Sequence, residues 1–247
     1  MELWGITDSG KVRKHNQDIF LTLFNEEKDV AVLVVCDGMG GARAGNIASE
    51  IAAEAFMKLM GSYIDDIKDV KCPHDIAEVM TDAVLAANIA VFAKSLQDEE
   101  FTGMGTTLTA AVSTDDGEVV ANIGDSRLYH VTDSKITQIT RDHSVVQDMV
   151  ERGEITRSEA RRHPSRNLIT RAIGTRHCEP PDIFYLNLKY GELILLCSDG
   201  LSNVVLDSEI LYEWQRSDTV REFCEVLVDM ALARGAPDNV TAVILKK

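Results

Sequence analysis

This chain of 247 residues lacks a long apolar run, paired-cysteine spacing and any excess of basic charge. Its longest strongly apolar stretches, such as Val30–Cys36, fall well short of the ~20 residues a bilayer span needs, so no membrane segment is expected. The opening residues, MELWGITDSGK, show no basic region leading into an apolar stretch, which argues against a secretory signal. Five cysteines (Cys36, Cys72, Cys178, Cys197 and Cys224) are odd in number and have no CxxC spacing. A reducing, cytoplasmic setting fits them, with Cys36 and Cys197 as buried thiols inside strand-like runs. Basic side chains number 25 against 40 acidic ones, a net charge of −15 that disfavours nonspecific binding to nucleic acid or anionic membrane. No nucleic-acid partner is expected. No Pro/Ser-rich linker, repeat or low-complexity segment divides the chain, so a single domain over 1–247 is expected, and nothing demands more than a monomer.

Hydrophobic periodicity changes along the chain. Strands are predicted at about Leu3–Thr7, Ile19–Phe24 and Val30–Cys36. Ile47, Ile51, Ala55 and Leu59 then recur at helical spacing, as do Ile76, Met80, Ala83, Ala87 and Val91 in a second helix. Thr107–Ser113 and Glu118–Ile123 flank Thr-Asp-Asp-Gly, a hairpin signal, and Arg127–Val131 and Ile136–Ile139 read as its continuation into a meander. The polar, Arg-rich stretch 142–176 suggests two small helices at most. Strands return at Ile183–Leu188 and Leu193–Cys197, a helix carries Val220 to Ala231, and Val240–Leu245 closes the chain. Hairpin-type strands alternating with helix pairs indicate an α+β class with helices covering antiparallel sheets.

Four aspartates stand at the edges of apolar, strand-like runs. Asp37, Asp125 and Asp199 follow theirs, and Asp238 precedes its own. One such residue is an ordinary turn former. Four together suggest carboxylates converging on hard divalent ions, for which Mg²⁺ and Mn²⁺ are the fitting choices. In Asp37-Gly-Met-Gly-Gly41 glycine permits close backbone approach, so the Gly38 carbonyl is a further candidate ligand. A dinucleotide loop is disfavoured because GxGxxG would place glycine at Arg43. GxxxxGK[ST], HExxH and GxSxG are missing too. No cysteine-nucleophile or Ser/His/Asp arrangement stands out, and the six histidines lack metal-ligand spacing.

Seven motifs, Arg13-Lys-His-Asn-Gln-Asp18, Asp37-Gly-Met-Gly-Gly41, Gly103-Met-Gly-Thr-Thr107, Ile123-Gly-Asp-Ser-Arg127, Asp142-His-Ser144, Ser198-Asp-Gly-Leu201 and Asp238-Asn239, occur in order. In this order the chain resembles the metal-dependent protein phosphatases of the 2C type in their compact bacterial form. The resemblance runs from about residue 5 to the C-terminus. It implies a four-layer α-β-β-α sandwich with two central antiparallel sheets, and a binuclear Mn²⁺ or Mg²⁺ centre that hydrolyses phosphoserine and phosphothreonine in proteins, opposing a Ser/Thr kinase. By the same resemblance Asp37 bridges both ions, Asp199 and Asp238 complete the first metal's protein ligands, and the Gly38 carbonyl binds the second. Asp125 with Asp199 resembles the pair holding a weaker third ion. Asp18 would orient a metal-held water, and Arg13 would grip the substrate phosphate.

The chain departs from that pattern at Gln17, where many relatives carry Glu, and at Met39, where eukaryotic relatives carry a histidine proposed as general acid. Ala42 and Asn46 replace a His and a Glu frequent in the bacterial loop. With Met39 in place, His15 and His143 are candidate proton donors by residue type alone. The stretch 141–177 holds eight arginines against five acidic residues and corresponds to a mobile flap at about 143–177, a candidate for substrate selection. Two rivals stay open at this stage: a two-metal phosphohydrolase of nucleotides or small molecules, and an inactive phosphoprotein-binding member of the fold.

Overall fold

The structure, a computed structural model, describes residues 1–40, 44–66 and 72–247. Gly41, Ala42 and Arg43 of the glycine loop lie outside the described residues. In chain order the elements begin with β1 (Glu2–Asp8), β2 (Asp18–Asn25) and β3 (Val30–Met39), followed by helices α1 (Ala44–Asp66) and α2 (Pro73–Ser95). Next come β4 (Gly105–Thr106), β5 (Leu108–Thr114), β6 (Gly117–Ile123), β7 (Arg127–Val131) and β8 (Ile136–Gln138). Two short helices, α3 (Val145–Glu151) and α4 (Arg157–Ala160), lead to β9 (Asp182–Leu186) and β10 (Leu193–Cys197). The remainder is α5 (Asp199–Ser202), α6 (Asp207–Trp214), α7 (Val220–Ala233) and β11 (Val240–Lys246).

These strands build two antiparallel sheets, β1-β11-β10-β7-β8 and β2-β3-β5-β6-β9, with β4 pairing the end of β3. Strand β3 explains why no polar alternation marks its sequence. Val30, Val32, Val34 and Cys36 face the core under α1 and α2, while Ala31, Leu33 and Val35 face the other sheet. Both faces of the strand are dry, and period-2 side-chain alternation distributes one apolar run between two cores. Leu128, Ile194, Leu196 and Val243 meet Leu33 and Val35 in the inter-sheet layer. Helix α7 covers the opposite outer face with Phe223, Cys224, Leu227 and Ala231. The order is helices, sheet, sheet, helices, the expected four-layer α+β sandwich.

One expectation changes. The predicted meander from β5 to β8 does not exist, because β5 and β6 belong to one sheet and β7 and β8 to the other. The chain crosses at Gly124, whose φ of +108° and closeness to Thr107 exclude a side chain: a Cβ there would lie 2.5 Å from Thr107 Cγ2. Helix α2 is by length and composition apolar enough to cross a bilayer, with a mean hydropathy of 1.6. Its Ile76, Met80, Val84, Ala87 and Val91 are packed in the core that α1 shares with the β3 sheet.

Candidate active site

The four aspartates come from both sheets. Asp37 lies within β3 and Asp125 follows β6 in one sheet, whereas Asp199 follows β10 and Asp238 precedes β11 in the other. All four, with Arg13, Gly38 and Met39, line one cavity of about 500 Å³ between the sheet edges. Asp18 sits behind it, 2% exposed.

Glycine makes the approach of these backbones possible. A Cβ on Gly200 would stand 1.8 Å from the Asn239 carbonyl oxygen, so the residues following Asp199 and Asp238 touch main chain to main chain. A Cβ on Gly38 would meet the carbonyl oxygens of Gly45 at 2.1 Å and Gln17 at 2.7 Å. Asp37 is fixed through its backbone: its N–H donates to Thr107 Oγ1 (2.9 Å), and its carbonyl accepts from Thr106 Oγ1 (2.9 Å) and the Thr107 N–H (2.9 Å). Thr107 Oγ1 also meets Ser126 Oγ at 2.8 Å, tying the Gly103–Thr107 motif to the Gly-Asp-Ser-Arg motif.

A directional chain of hydroxyls holds Asp18. Asn16 Nδ2 donates to Thr7 Oγ1 (2.8 Å), and Thr241 Oγ1 donates to Asp18 Oδ2 (2.7 Å). Thr241 has one hydroxyl proton, so Thr7 is the donor in the 2.7 Å contact between the two threonines. Ser198 Oγ donates to the same Asp18 oxygen at 2.6 Å and accepts from the Thr241 N–H at 3.0 Å. Ser198 occupies the N-cap of α5 yet makes no capping bond, because its hydroxyl serves Asp18 instead. The Asn239 amide is a second hub: its Oδ1 accepts from Gln17 N–H (2.9 Å), and its Nδ2 donates to the carbonyls of Ser9 (2.9 Å) and His15 (3.1 Å).

Charge is crowded here. Burial raises Asp18 to about 6 against the pull of the Ser198 and Thr241 hydroxyls, and it raises Asp199 to about 7, with Asp238 and Asp18 adding to the push. Asp37 is lifted well above the ordinary carboxylate range by burial and then by Asp18 and Asp199, and Asp125 by burial and then by Asp199 and Asp142. Asp18 Oδ1 and Asp199 Oδ1 are buried without a hydrogen-bond partner. Orphaned carboxylate oxygens beside a peptide carbonyl are a donor set for hard divalent cations, so the residues present fit Mg²⁺ or Mn²⁺. Among the described residues, no three ligand-type side chains are already gathered around one point. Arg13 Nη2 instead engages Asp238 Oδ2 at 2.7 Å, and Asn203 Nδ2 engages Asp199 Oδ2 at 3.0 Å.

The two candidate histidines separate. His143 is fully buried, accepts the Gly124 N–H on Nδ1 (3.0 Å) and reaches Asp182 through Nε2 (3.1 Å), so it braces the residue before Asp125 and does not face the cavity. His15 lines the cavity. The stretch 143–177, expected as a flap, is tied to the body of the fold at several points. Ser144 and Ile169 form a bridge, Ile173 pairs Thr106, and Asn88 binds Gly174, Arg176 and His177 backbone atoms. Five of the eight arginines in 141–177 pair with acids: Arg141, Arg152, Arg161, Arg171 and Arg176. Arg157, Arg162 and Arg166 remain without an acidic partner among the described residues.

Sequence reasoning missed the roles of Thr7, Ser198, Thr241, Asn203 and Asn239. The available signal was that Ser198 and Asn239 adjoin the two aspartates of sheet β1-β11-β10-β7-β8.

Residues 10–242 match the family model described as protein phosphatase 2C. The serine/threonine phosphatase stp of Listeria monocytogenes serotype 4b is 32% identical over 98% of this chain and 94% of its own length. The crystal structure of serine/threonine phosphatase Stp1 from Staphylococcus aureus matches with a TM-score of 0.91 at 33% identity, covering 100% of this chain and 94% of that one. The catalytic domain of serine/threonine protein phosphatase PstP, solved with two manganese ions, matches with a TM-score of 0.85 at 36% identity, covering 98% of this chain and 96% of that one. With its motifs in order, its four-layer sandwich and this full-length similarity, the chain belongs to the protein phosphatase 2C family.

Proposed function

We propose that this chain is a protein serine/threonine phosphatase that uses two Mg²⁺ or Mn²⁺ ions and opposes a Ser/Thr kinase. The observation that carries the reading is the convergence of Asp37, Asp199, Asp238 and Arg13 on one cavity. Asp37, buried with Asp18, Asp199, Asp125 and Asp238 around it, would be the carboxylate shared by the two ions, with Asp199 and Asp238 holding the first and the Gly38 carbonyl the second. Asp125, with Asp199, would hold a weaker third ion. When bound, the ions supply a water activated for attack at neutral pH and offset charge on the phosphoryl oxygens.

The chain's own groups do the rest. Arg13 leaves Asp238 for the substrate phosphate, where its planar fork suits two oxygens at once. Asp18, held by Ser198 and Thr241 on one oxygen and free on the other, orients the attacking water. The outer part of the flap, with Arg157, Arg162 and Arg166, selects phosphoproteins.

Phosphate release from a phosphothreonine peptide compared with a nucleoside triphosphate tests this reading. Preference for the peptide supports it. Preference for the nucleotide favours a small-molecule phosphohydrolase, and no turnover of either with Mn²⁺ favours an inactive binding protein.

A further inference from the structure

A seryl or threonyl oxygen is a strongly basic leaving group, so its departure from phosphorus is helped by a positioned proton donor. The cavity walls offer few. Arg13 does not give up a proton in proteins, Met39 has none to give, and the carboxylates are the proposed metal ligands. That leaves the Lys14 ammonium and the His15 imidazole on the wall, and an imidazolium is the stronger acid of those two classes.

The six histidines sort cleanly. His74 lies 3.5 Å from Glu78, His130 contacts Glu192 at 2.9 Å, and His143 braces Gly124. His163 accepts the Ser165 N–H at 3.1 Å, and His177 stacks edge-on against Phe92. Each of these five has a local partner, and none lines the catalytic cavity. His15 does line it, and its ring makes no hydrogen bond or ion pair among the described residues. Its backbone is nonetheless fixed, because the buried Asn239 amide donates to the His15 carbonyl and accepts from the Gln17 N–H. His15 also sits two residues from Arg13 and three from Asp18. An imidazole that has no hydrogen-bond partner among the described residues, on a pinned loop and lining the same cavity as Arg13, is placed as a proton donor would be.

We propose that His15 is the general acid of this enzyme, an inference that rests on the phosphatase reading above. As the bond between phosphorus and the seryl or threonyl oxygen breaks, the electron pair stays on that oxygen, which takes the proton from the His15 imidazolium. Water forms the new bond to phosphorus on the opposite side. The proton that this water releases restores the imidazolium through solvent.

The test is His15→Gln, an exposed substitution that keeps polarity and removes the acid. Turnover is compared on a phosphothreonine peptide and on p-nitrophenyl phosphate, whose leaving group departs without a proton. The peptide rate is expected to fall at least about ten-fold further than the p-nitrophenyl rate. The dissociation constant of inorganic phosphate, measured by calorimetry with Mn²⁺, is expected to change less than about two-fold, whereas Arg13→Ala weakens it by about ten-fold or more. Equal losses on both substrates, or weakened phosphate binding in His15→Gln, would overturn the assignment while leaving the phosphatase reading intact. A wild-type protein inactive on the peptide would overturn both.

Discussion

Asp18 and Asp37 are register partners, directly opposite one another on β2 and β3. Two carboxylates at such a position repel, and their strands pair in spite of it because the flanking pairs, such as Phe20 with Val35 and Thr22 with Leu33, zip a mostly apolar ladder. The fold therefore holds close together two carboxylates whose repulsion a cation held at Asp37 would relieve.

Stability without metal should follow from that strain. Asp18 and Asp199 release their protons at about 6 and about 7 in the folded chain, against about 4 when unfolded. The folded state thus binds more protons across that window, and its stability falls as pH rises from about 4 through about 7. Melting in EDTA should drop by roughly 5–10 °C between pH 5 and pH 8. Mn²⁺ should restore the loss at pH 8 and do little at pH 5. A metal-free melting temperature that rises over this range would contradict the carboxylate crowding.

Thr241→Val removes one of the two hydroxyls on Asp18 without changing side-chain shape. Because that bond favours the ionised carboxylate, its loss should cost about 2 kcal/mol at pH 8 and distinctly less at pH 5. Urea unfolding of the metal-free protein at the two pH values measures the difference. An equal cost at both would mean that Asp18 is not the acceptor that matters.

Much of this architecture was readable in advance, for identifiable reasons. The Val30–Cys36 run, the helical spacing of Ile76 to Val91 and the strongly periodic Val220–Ala233 segment each carry enough buried apolar residues to declare themselves. Helix α6 did not, since only Ile210 and Trp214 of its eight residues are buried. The sheet change at Gly124 left no mark because hairpin periodicity reads the same whether neighbouring hairpins share a sheet. The aspartates were legible from their strand-edge positions and motif order. The supporting hydroxyls were not, because Thr7 and Thr241 meet only when β1 pairs with β11, 234 residues apart in sequence.

Gly200→Ala tests the backbone contact between the segments that carry Asp199 and Asp238. In a helix the substitution would ordinarily stabilise by up to about 1 kcal/mol. Here the added carbon meets the Asn239 carbonyl, so a loss of about 2–3 kcal/mol is expected. The Mn²⁺ midpoint for activation should rise alongside as Asp199 and Asp238 are pushed apart. Stabilisation would show that the contact relaxes freely.

Replacing Arg157, Arg162 and Arg166 together by alanine should lower kcat/KM on a phosphoprotein by about ten-fold. Turnover of p-nitrophenyl phosphate, too small to reach the flap, should stay within about two-fold. Raising the salt concentration should narrow the difference for the phosphoprotein, since these side chains are exposed. Equal effects on both substrates would remove the flap from substrate selection.

The central claim is that Asp199 helps hold the ions on which hydrolysis depends. Phosphate release from a phosphothreonine peptide, measured with and without Mn²⁺ for the wild-type chain and Asp199→Asn, tests it most directly. The account predicts release that requires Mn²⁺ and falls by about 100-fold or more in the variant. Release without metal, or undiminished by the substitution, would contradict it.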